Sequence, residues 1–143
     1  MKKIAIFILI IIAIISTVSY VYLSNVNIYR NAQKENAKFE IYIDKEITGT
    51  EITTLINRAI DQNKQNEIQK DNKGKYIENN ENSLNIDIKF IDNDTTYNME
   101  KIFDSGIETF LAYYRNISFK CSEVQYHEKT NKIKYMLFEQ ITQ

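Results

Sequence analysis

Residues 4–23 read IAIFILIIIAIISTVSYVYL and contain no charge, no glycine and no proline. At about 1.5 Å rise per residue, this stretch forms a helix about 30 Å long, which matches the hydrocarbon core of a bilayer. Lys2 and Lys3 precede it, whereas the next basic residues, Arg30 and Lys34, lie well beyond its far end. Because basic residues mark the cytoplasmic side, the sequence predicts residues 1–3 in the cytoplasm, a transmembrane helix over 4–23 and residues 24–143 outside.

A cleaved signal peptide is the alternative interpretation of this N-terminus. The apolar cores of signal peptides run about 7 to 15 residues and end at a site of the A-x-A type. The apolar run here is longer, and Thr17, Val18 and Ser19 form only a poor cleavage site. We therefore favour an uncleaved anchor, and a cleaved segment would leave the same domain secreted.

Composition restricts what the part outside the membrane can be. Residues 24–143 suffice for one domain with a modest core. Two of the 18 basic residues precede the apolar run, so 16 basic residues accompany 19 acidic ones outside it, a net charge of −3. Because phosphate binding needs a concentrated positive surface, we expect no nucleic-acid partner.

The first half of the outer part predicts two helices and a loop. Helical spacing of apolar residues continues past residue 23, so the membrane helix is expected to extend to about Tyr42. Phe39, Ile41 and Ile43 also alternate with polar residues as in a strand, which leaves the end of the helix open. Residues 48–61 combine a capping box, formed by Thr48 and Glu51, with the apolar face of an amphipathic helix. Residues 62–83 are almost entirely polar and predict a long flexible loop.

The second half predicts strands around one helical region. Residues 84–90 alternate apolar and polar side chains, which is typical of a strand with one wet face, and residues 95–97 return as a short strand. Asn98 is a helix N-cap, and the apolar stripe that follows to Tyr114 is ended or interrupted by Gly106. We interpret this stripe as part of the core rather than as a groove for a ligand.

The C-terminal residues predict a hairpin. Residues 117–126 form a strand with a bulge near 122–123, and residues 133–138 form its partner. Four consecutive large side chains at 135–138 place that last strand at the centre of the sheet with both faces covered. The predicted fold class is α+β, in which a transmembrane helix continues into a small domain with two or three helices on an antiparallel sheet of about four strands.

Candidate residues for catalysis or metal binding are few. Cys121 is the only cysteine and His127 the only histidine. Six residues on a strand separate them by about 20 Å, too far for a thiol and its base, so we expect Cys121 to be a buried small residue and His127 an exposed or half-exposed one. Asp87 with Asp104 or Glu108 is the remaining carboxylate pair to consider, and nothing in the sequence distinguishes it.

The acidic turn at residues 92–94 invites a calcium interpretation. An EF-hand loop that starts at Asp92 needs a glycine at its sixth position and a glutamate at its twelfth. Tyr97 and Phe103 occupy these positions. We therefore expect no metal site, no cofactor, no catalytic residue and no enzymatic activity.

The predicted architecture resembles that of type IV pilins and pseudopilins, which also continue an N-terminal apolar helix into a small α+β domain. Prepilins carry a processing site that ends in Gly or Ala before an aromatic residue, followed by a glutamate early in the apolar segment. Ala5, Ile6 and Phe7 are similar to such a site, whereas the first acidic residue here is Glu35. The stretches FEIY (39–42), GTEI (49–52), FKC (119–121) and YHEKT (126–130) are similar to small uncharacterised anchored proteins of Gram-positive bacteria. The first resemblance implies a subunit of a secretion or filament assembly, and the second implies no particular function.

Three functions follow as hypotheses. The first is a single-pass extracytoplasmic binding or scaffold protein at the plasma membrane, with an envelope or assembly protein as its partner. The second is the pilin-like or pseudopilin-like subunit. The third, from a different class, is an enzyme that uses acidic residues or the Cys121 thiol.

Overall fold

A computed structural model describes residues 2–91 and 94–142 as four helices and five strands. The predicted acidic turn falls at Asp92 and Asn93, which lie outside the described residues. In chain order the elements are α1 (Lys2–Glu40), β1 (Glu46–Thr48), α2 (Gly49–Gln65), β2 (Asn85–Phe90), β3 (Thr95–Asn98), α3 (Met99–Asp104), α4 (Ile107–Tyr114), β4 (Ser118–Tyr126) and β5 (Ile133–Gln140).

The five strands form one mixed sheet in the order β1-β4-β5-β2-β3. The predicted α+β class is therefore confirmed, and β5 lies at the centre of the sheet as expected. The sheet has five strands rather than about four, and β2 pairs with β5 in parallel where only antiparallel pairs were expected. The parallel pair arises because α3 and α4 carry the chain across the sheet from β3 to β4, and the β4–β5 hairpin then places β5 against β2.

One face of the sheet packs against the helices to form the core. Ile86, Ile88, Met136 and Phe138 point into this core and are fully buried. Tyr135 and Leu137 alternate with them on the opposite face and are only half-buried. Both faces of the last strand were expected to be covered, and the face that carries Tyr135 and Leu137 is covered only in part. The four consecutive large side chains predicted the central position of the strand correctly. They could not predict whether a second layer of structure covers the outer face of the sheet.

α2 begins as its sequence predicts. The Thr48 hydroxyl accepts the backbone N–H of Glu51, and the Glu51 carboxylate accepts the backbone N–H of Thr48 at 2.9 Å. This hydrogen bond and the adjacent Lys45 hold the pKa of Glu51 below its usual value. Gly49 is required at the start of α2, because a Cβ there would lie 1.9 Å from the carbonyl oxygen of Tyr114.

The far end of α2 differs from the prediction. The helix runs to Gln65, so the first four residues of the predicted loop at 62–83 are helical. The reason is Asn63, whose buried side-chain amide donates to the carbonyl of Leu84 at 2.7 Å and accepts its N–H at 2.9 Å. Within the connection that follows, Asp71 and Asn79 each accept backbone N–H groups of nearby residues. Its flexibility stays a prediction.

α1 is exposed along its apolar part and docked at its C-terminal end. Its most apolar 18-residue window has a mean hydropathy of 2.8 and no buried residue, so the helix is long and apolar enough to cross a membrane. Ala32, Asn36 and Phe39 are buried against the domain. The helix ends at Glu40, two residues before the predicted end near Tyr42.

The docked end of α1 packs against the β4–β5 hairpin. The Asn36 side chain donates to the carbonyl of Asn131 at 2.8 Å and accepts the N–H of Ile133 at 2.9 Å. An ion pair of 2.9 Å joins Glu35 to Lys132 beside it. Glu35 and Asn36 are adjacent in α1, and Ala32 and Phe39 are buried one turn before and one turn after them. Contacts over consecutive turns of one helix fix the direction in which α1 leaves the domain.

Candidate functional site

The Cys121 thiol lies on β4 and is half-buried rather than fully buried. It packs against the core and donates to the carbonyl of Glu123 at 3.5 Å, across the bulge that the sequence predicts at this position. Burial raises the pKa of the Cys121 thiol to about 11. Because the thiolate is the nucleophilic form, this environment suppresses rather than activates the thiol.

His127 is 3% exposed, so the prediction of an exposed histidine is wrong. Its Nε2 lies 2.8 Å from the carbonyl oxygen of Ser83. A carbonyl oxygen only accepts hydrogen bonds, so Nε2 carries the proton and donates it. His127 therefore ties the connection after α2 to the hairpin, a contact between residues 44 positions apart that no local pattern signals.

The hairpin and this connection border a polar cleft of about 410 Å³ that also includes His127. Opposite charges are paired at its edge, because Lys134 lies 3.3 Å from Glu78 and Lys129 contacts Glu81. The Lys129 contact holds the pKa of Glu81 below its usual value. Because both lysines of its lining are paired with glutamates, the cleft offers no concentrated positive charge for an anionic ligand.

The carboxylates considered for catalysis are not brought together. Asp87 lies on the outer face of β2 and accepts a hydrogen bond of 3.2 Å from the Tyr135 hydroxyl. Burial raises the pKa of Asp87, which the nearby Lys75 and the Tyr135 hydroxyl partly oppose. Asp104 ends α3 and Glu108 lies in the first turn of α4, and both helices pack on the other face of the sheet. This arrangement leaves no carboxylate pair around a shared substrate position.

Glu100 is a buried acidic side chain that the sequence analysis missed. It is 3% exposed, and its Oε1 accepts the backbone N–H of Tyr76 at 2.8 Å. Among the residues that the structure describes, its Oε2 has no hydrogen-bond partner. Glu100 lies in the first turn of α3, after its N-cap Asn98, where the helix dipole favours a negative charge. We assign it the role of holding the connection after α2 against α3.

Metal coordination has no support in residues 2–91 and 94–142. No group of three or more His, Cys, Asp or Glu side chains is placed to hold an ion in these two ranges. The predicted carboxylates, Cys121 and His127 therefore stand as separate groups in different environments.

An aromatic groove is the most distinctive surface of the domain. We define it by ten residues from β2, β3, α3 and α4, and it encloses about 140 Å³. Phe90, Ile102 and Phe110 form its buried floor. Its walls and rim comprise Tyr97, Lys101, Ser105, Gly106, Thr109, Tyr113 and Tyr114.

The rings of the aromatic groove support one another. Phe90 lies 4.7 Å from Tyr114 and 5.5 Å from Tyr97, measured between ring centroids, and Phe110 stacks on Tyr114 at 5.2 Å. Such ring pairs contribute about 0.5–1.5 kcal/mol each beyond the area that they bury. Tyr113, in contrast, is 77% exposed at the rim. A packed floor beneath an exposed ring gives a preformed surface.

Local helix geometry explains how the groove stays open. Gly106 has a φ of 93°, so it ends the α3 region and caps α4 in a conformation that favours glycine. α3 and α4 therefore meet at an angle above Phe90 instead of continuing as one helix. The sequence predicted the apolar stripe but treated it only as core. No local signal was available, because Phe110, Tyr113 and Tyr114 have the i, i+3, i+4 spacing of a single buried helix face.

Comparison with known proteins finds no matching family model, no matching curated protein and no matching solved structure.

Proposed function

We propose that this chain is a single-pass membrane-anchored protein whose outer domain binds another protein or an envelope component, without catalysis. The observation that carries the proposal is α1, a single helix that is apolar and exposed at one end and docked on a folded domain at the other. Exposing an apolar surface of this size to water costs free energy, and burying it in the hydrocarbon core of a bilayer removes that cost. The N-terminus lies in the cytoplasm and the domain outside, in accord with the position of Lys2 and Lys3.

The chemistry of the domain supports binding over catalysis. The thiol is deactivated by burial, the histidine serves a backbone carbonyl, and the acidic residues lie on different faces of the sheet. A preformed aromatic groove, in contrast, is the type of surface at which binding energy is concentrated in protein complexes.

Photocrosslinking in the native membrane tests this proposal. A benzophenone amino acid placed at exposed positions around the outer domain should give discrete adducts with one envelope component. The benzophenone amino acid placed at Thr54 shows whether the exposed face of α2 also forms adducts. A protein that stays monomeric and forms no adduct at any position would contradict a binding or scaffold function.

A pilin-like subunit is the second candidate. The observation that favours it is the unbroken helix Lys2–Glu40, which passes from the apolar span directly onto the C-terminal hairpin. Recovery of the protein in sheared surface fibres, with cleavage after Ala5, would support this assembly. Its retention in the membrane as a full-length chain would contradict it.

A further inference from the structure

The aromatic groove lies at the end of the sheet away from the membrane helix. α1 packs on the hairpin turn, where β4 ends and β5 begins. Phe90 ends β2, and it contacts Phe119 at the beginning of β4, with ring centroids 6.0 Å apart. The strand register therefore places the floor of the groove at the opposite end from the hairpin. A helix that anchors one end of the domain leaves this end accessible to a partner.

The volume of the groove restricts what it can accept. Pockets that enclose a whole drug-sized ligand measure about 300–1,000 Å³. The aromatic groove measures about 140 Å³, and a cavity of about 150 Å³ holds a single benzene molecule. Its size therefore suits one large side chain, as in the anchor residues of protein interfaces, and excludes a complete cofactor.

The charge at the rim indicates what accompanies that side chain. Lys101 is the charged residue of the lining, and its Nζ lies 3.8 Å from the centroid of the Tyr97 ring. In the described part of the chain, no carboxylate oxygen lies within 4.0 Å of this ammonium group. The contact with Tyr97 holds the ammonium at the rim, where no carboxylate of residues 2–91 or 94–142 neutralises its charge.

We propose that the aromatic groove binds a protein segment through one aromatic or large aliphatic side chain, with a carboxylate on the adjacent residue paired with Lys101. The proposal rests on the assigned binding function and adds the chemistry of its partner. A carbohydrate is disfavoured, because the side chains of the buried floor, Phe90, Ile102 and Phe110, carry no group that can hydrogen-bond to sugar hydroxyls. Binding of the side chain excludes water from Phe90 and Phe110, and the ion pair orients the segment.

Three short peptides test the two features separately. Full-length protein in nanodiscs is titrated with acetyl-Gly-Phe-Glu-Gly-amide, acetyl-Gly-Phe-Gln-Gly-amide and acetyl-Gly-Ser-Glu-Gly-amide, and saturation-transfer NMR reports binding against empty nanodiscs. The Phe-Gln peptide should bind up to about fivefold more weakly than the Phe-Glu peptide, as expected for one exposed ion pair. The Ser-Glu peptide should bind at least about tenfold more weakly, because it lacks the apolar side chain.

Variants locate the binding on the groove. Lys101→Gln should abolish the preference for the Phe-Glu over the Phe-Gln peptide, whereas Lys120→Gln, at an exposed position on β4, should keep it. Thr109→Phe at the exposed rim should fill the groove and remove binding of both Phe peptides. Tyr113→Ser, at a position 77% exposed, should weaken both without disturbing the core.

Several results would overturn the proposal. These are the absence of saturable binding by the Phe-Glu peptide, equal binding of all three peptides, or a preference for glutamate that survives Lys101→Gln. If oligosaccharides but not the peptides displace the crosslinks, the groove binds a carbohydrate. If the protein binds no peptide but self-associates, and Tyr113→Ser removes this self-association, the groove binds a second copy of the chain. Crosslinks that persist in Thr109→Phe would preserve the binding function while refuting this site, so the two failures are distinguishable.

Discussion

Two asparagine side chains in this domain form hydrogen bonds with backbone groups that a neighbouring strand would otherwise pair. Asn63 on α2 uses both ends of its amide to pair with the backbone of Leu84, just before β2. Asn36 on α1 donates to the carbonyl of Asn131 and accepts the N–H of Ile133, where β5 begins. Both side chains are buried, so each satisfies backbone groups that water does not reach. No spacing rule reveals them, because asparagine is frequent throughout this chain and its partner lies 21 or more residues away.

The Cys121 thiol should react slowly in the folded protein. Burial raises the pKa of Cys121 from its ordinary 9.0 to about 11. At pH 8 the thiolate fraction is therefore about 100-fold lower than in the unfolded chain, and so is the expected rate of alkylation by iodoacetamide. The signal is unambiguous because the chain has a single cysteine. Equal rates in the folded and unfolded chain would contradict the deactivated thiol, and a faster rate in the folded chain would favour a thiol-dependent enzyme.

Asp87 should make part of the stability depend on pH. Because burial raises its pKa above the ordinary 3.8, the folded state holds this proton more tightly than the unfolded state. The contribution of Asp87 to stability is therefore full below 3.8 and is lost as the pH rises through the folded pKa. We compare the free energies of unfolding of Asp87→Asn and the native protein by urea denaturation. The difference should favour the variant more at pH 7 than at pH 3. A pH-independent difference between the two proteins would refute this.

At the scale of elements, the joint between α1 and the hairpin decides how the domain is held. Asn36→Ala removes both hydrogen bonds to the hairpin and leaves the buried N–H of Ile133 unpaired. We expect a loss of about 1–3 kcal/mol in the free energy of unfolding, measured by urea denaturation. Gln33→Ala, on the exposed face of the same helix, should change stability by no more than about 0.5 kcal/mol. Equal effects of the two substitutions would show that Asn36 does not anchor α1.

The elements that the sequence predicted are those defined by local contacts. The capping box of α2, the alternation of β2 and the bulged hairpin depend on residues close together in the chain, and each is observed where predicted. The three-residue strand β1 and the parallel pair of β2 with β5 depend on contacts between distant residues. Such pairings leave no period in either segment, which is why the predicted sheet had one strand fewer and no parallel pair.

The aromatic groove shows the same limit at the scale of the site. Its floor combines Phe90 from β2 with Phe110 from α4, each of which the sequence assigned to the core. Whether a stripe of large side chains is fully covered depends on the angle between α3 and α4, which Gly106 sets. The sequence therefore predicted the residues of this surface but not its opening.

At the scale of the whole molecule, an anchored extracytoplasmic protein keeps α1 attached and holds its domain outside the membrane. The most direct measurement is intact mass combined with protease accessibility in native membranes. We predict the full 16.9 kDa chain and digestion of the domain by protease added from outside. A mass lacking about the first 20 residues, or a domain digested only after the membrane is ruptured, would contradict the anchored extracytoplasmic protein.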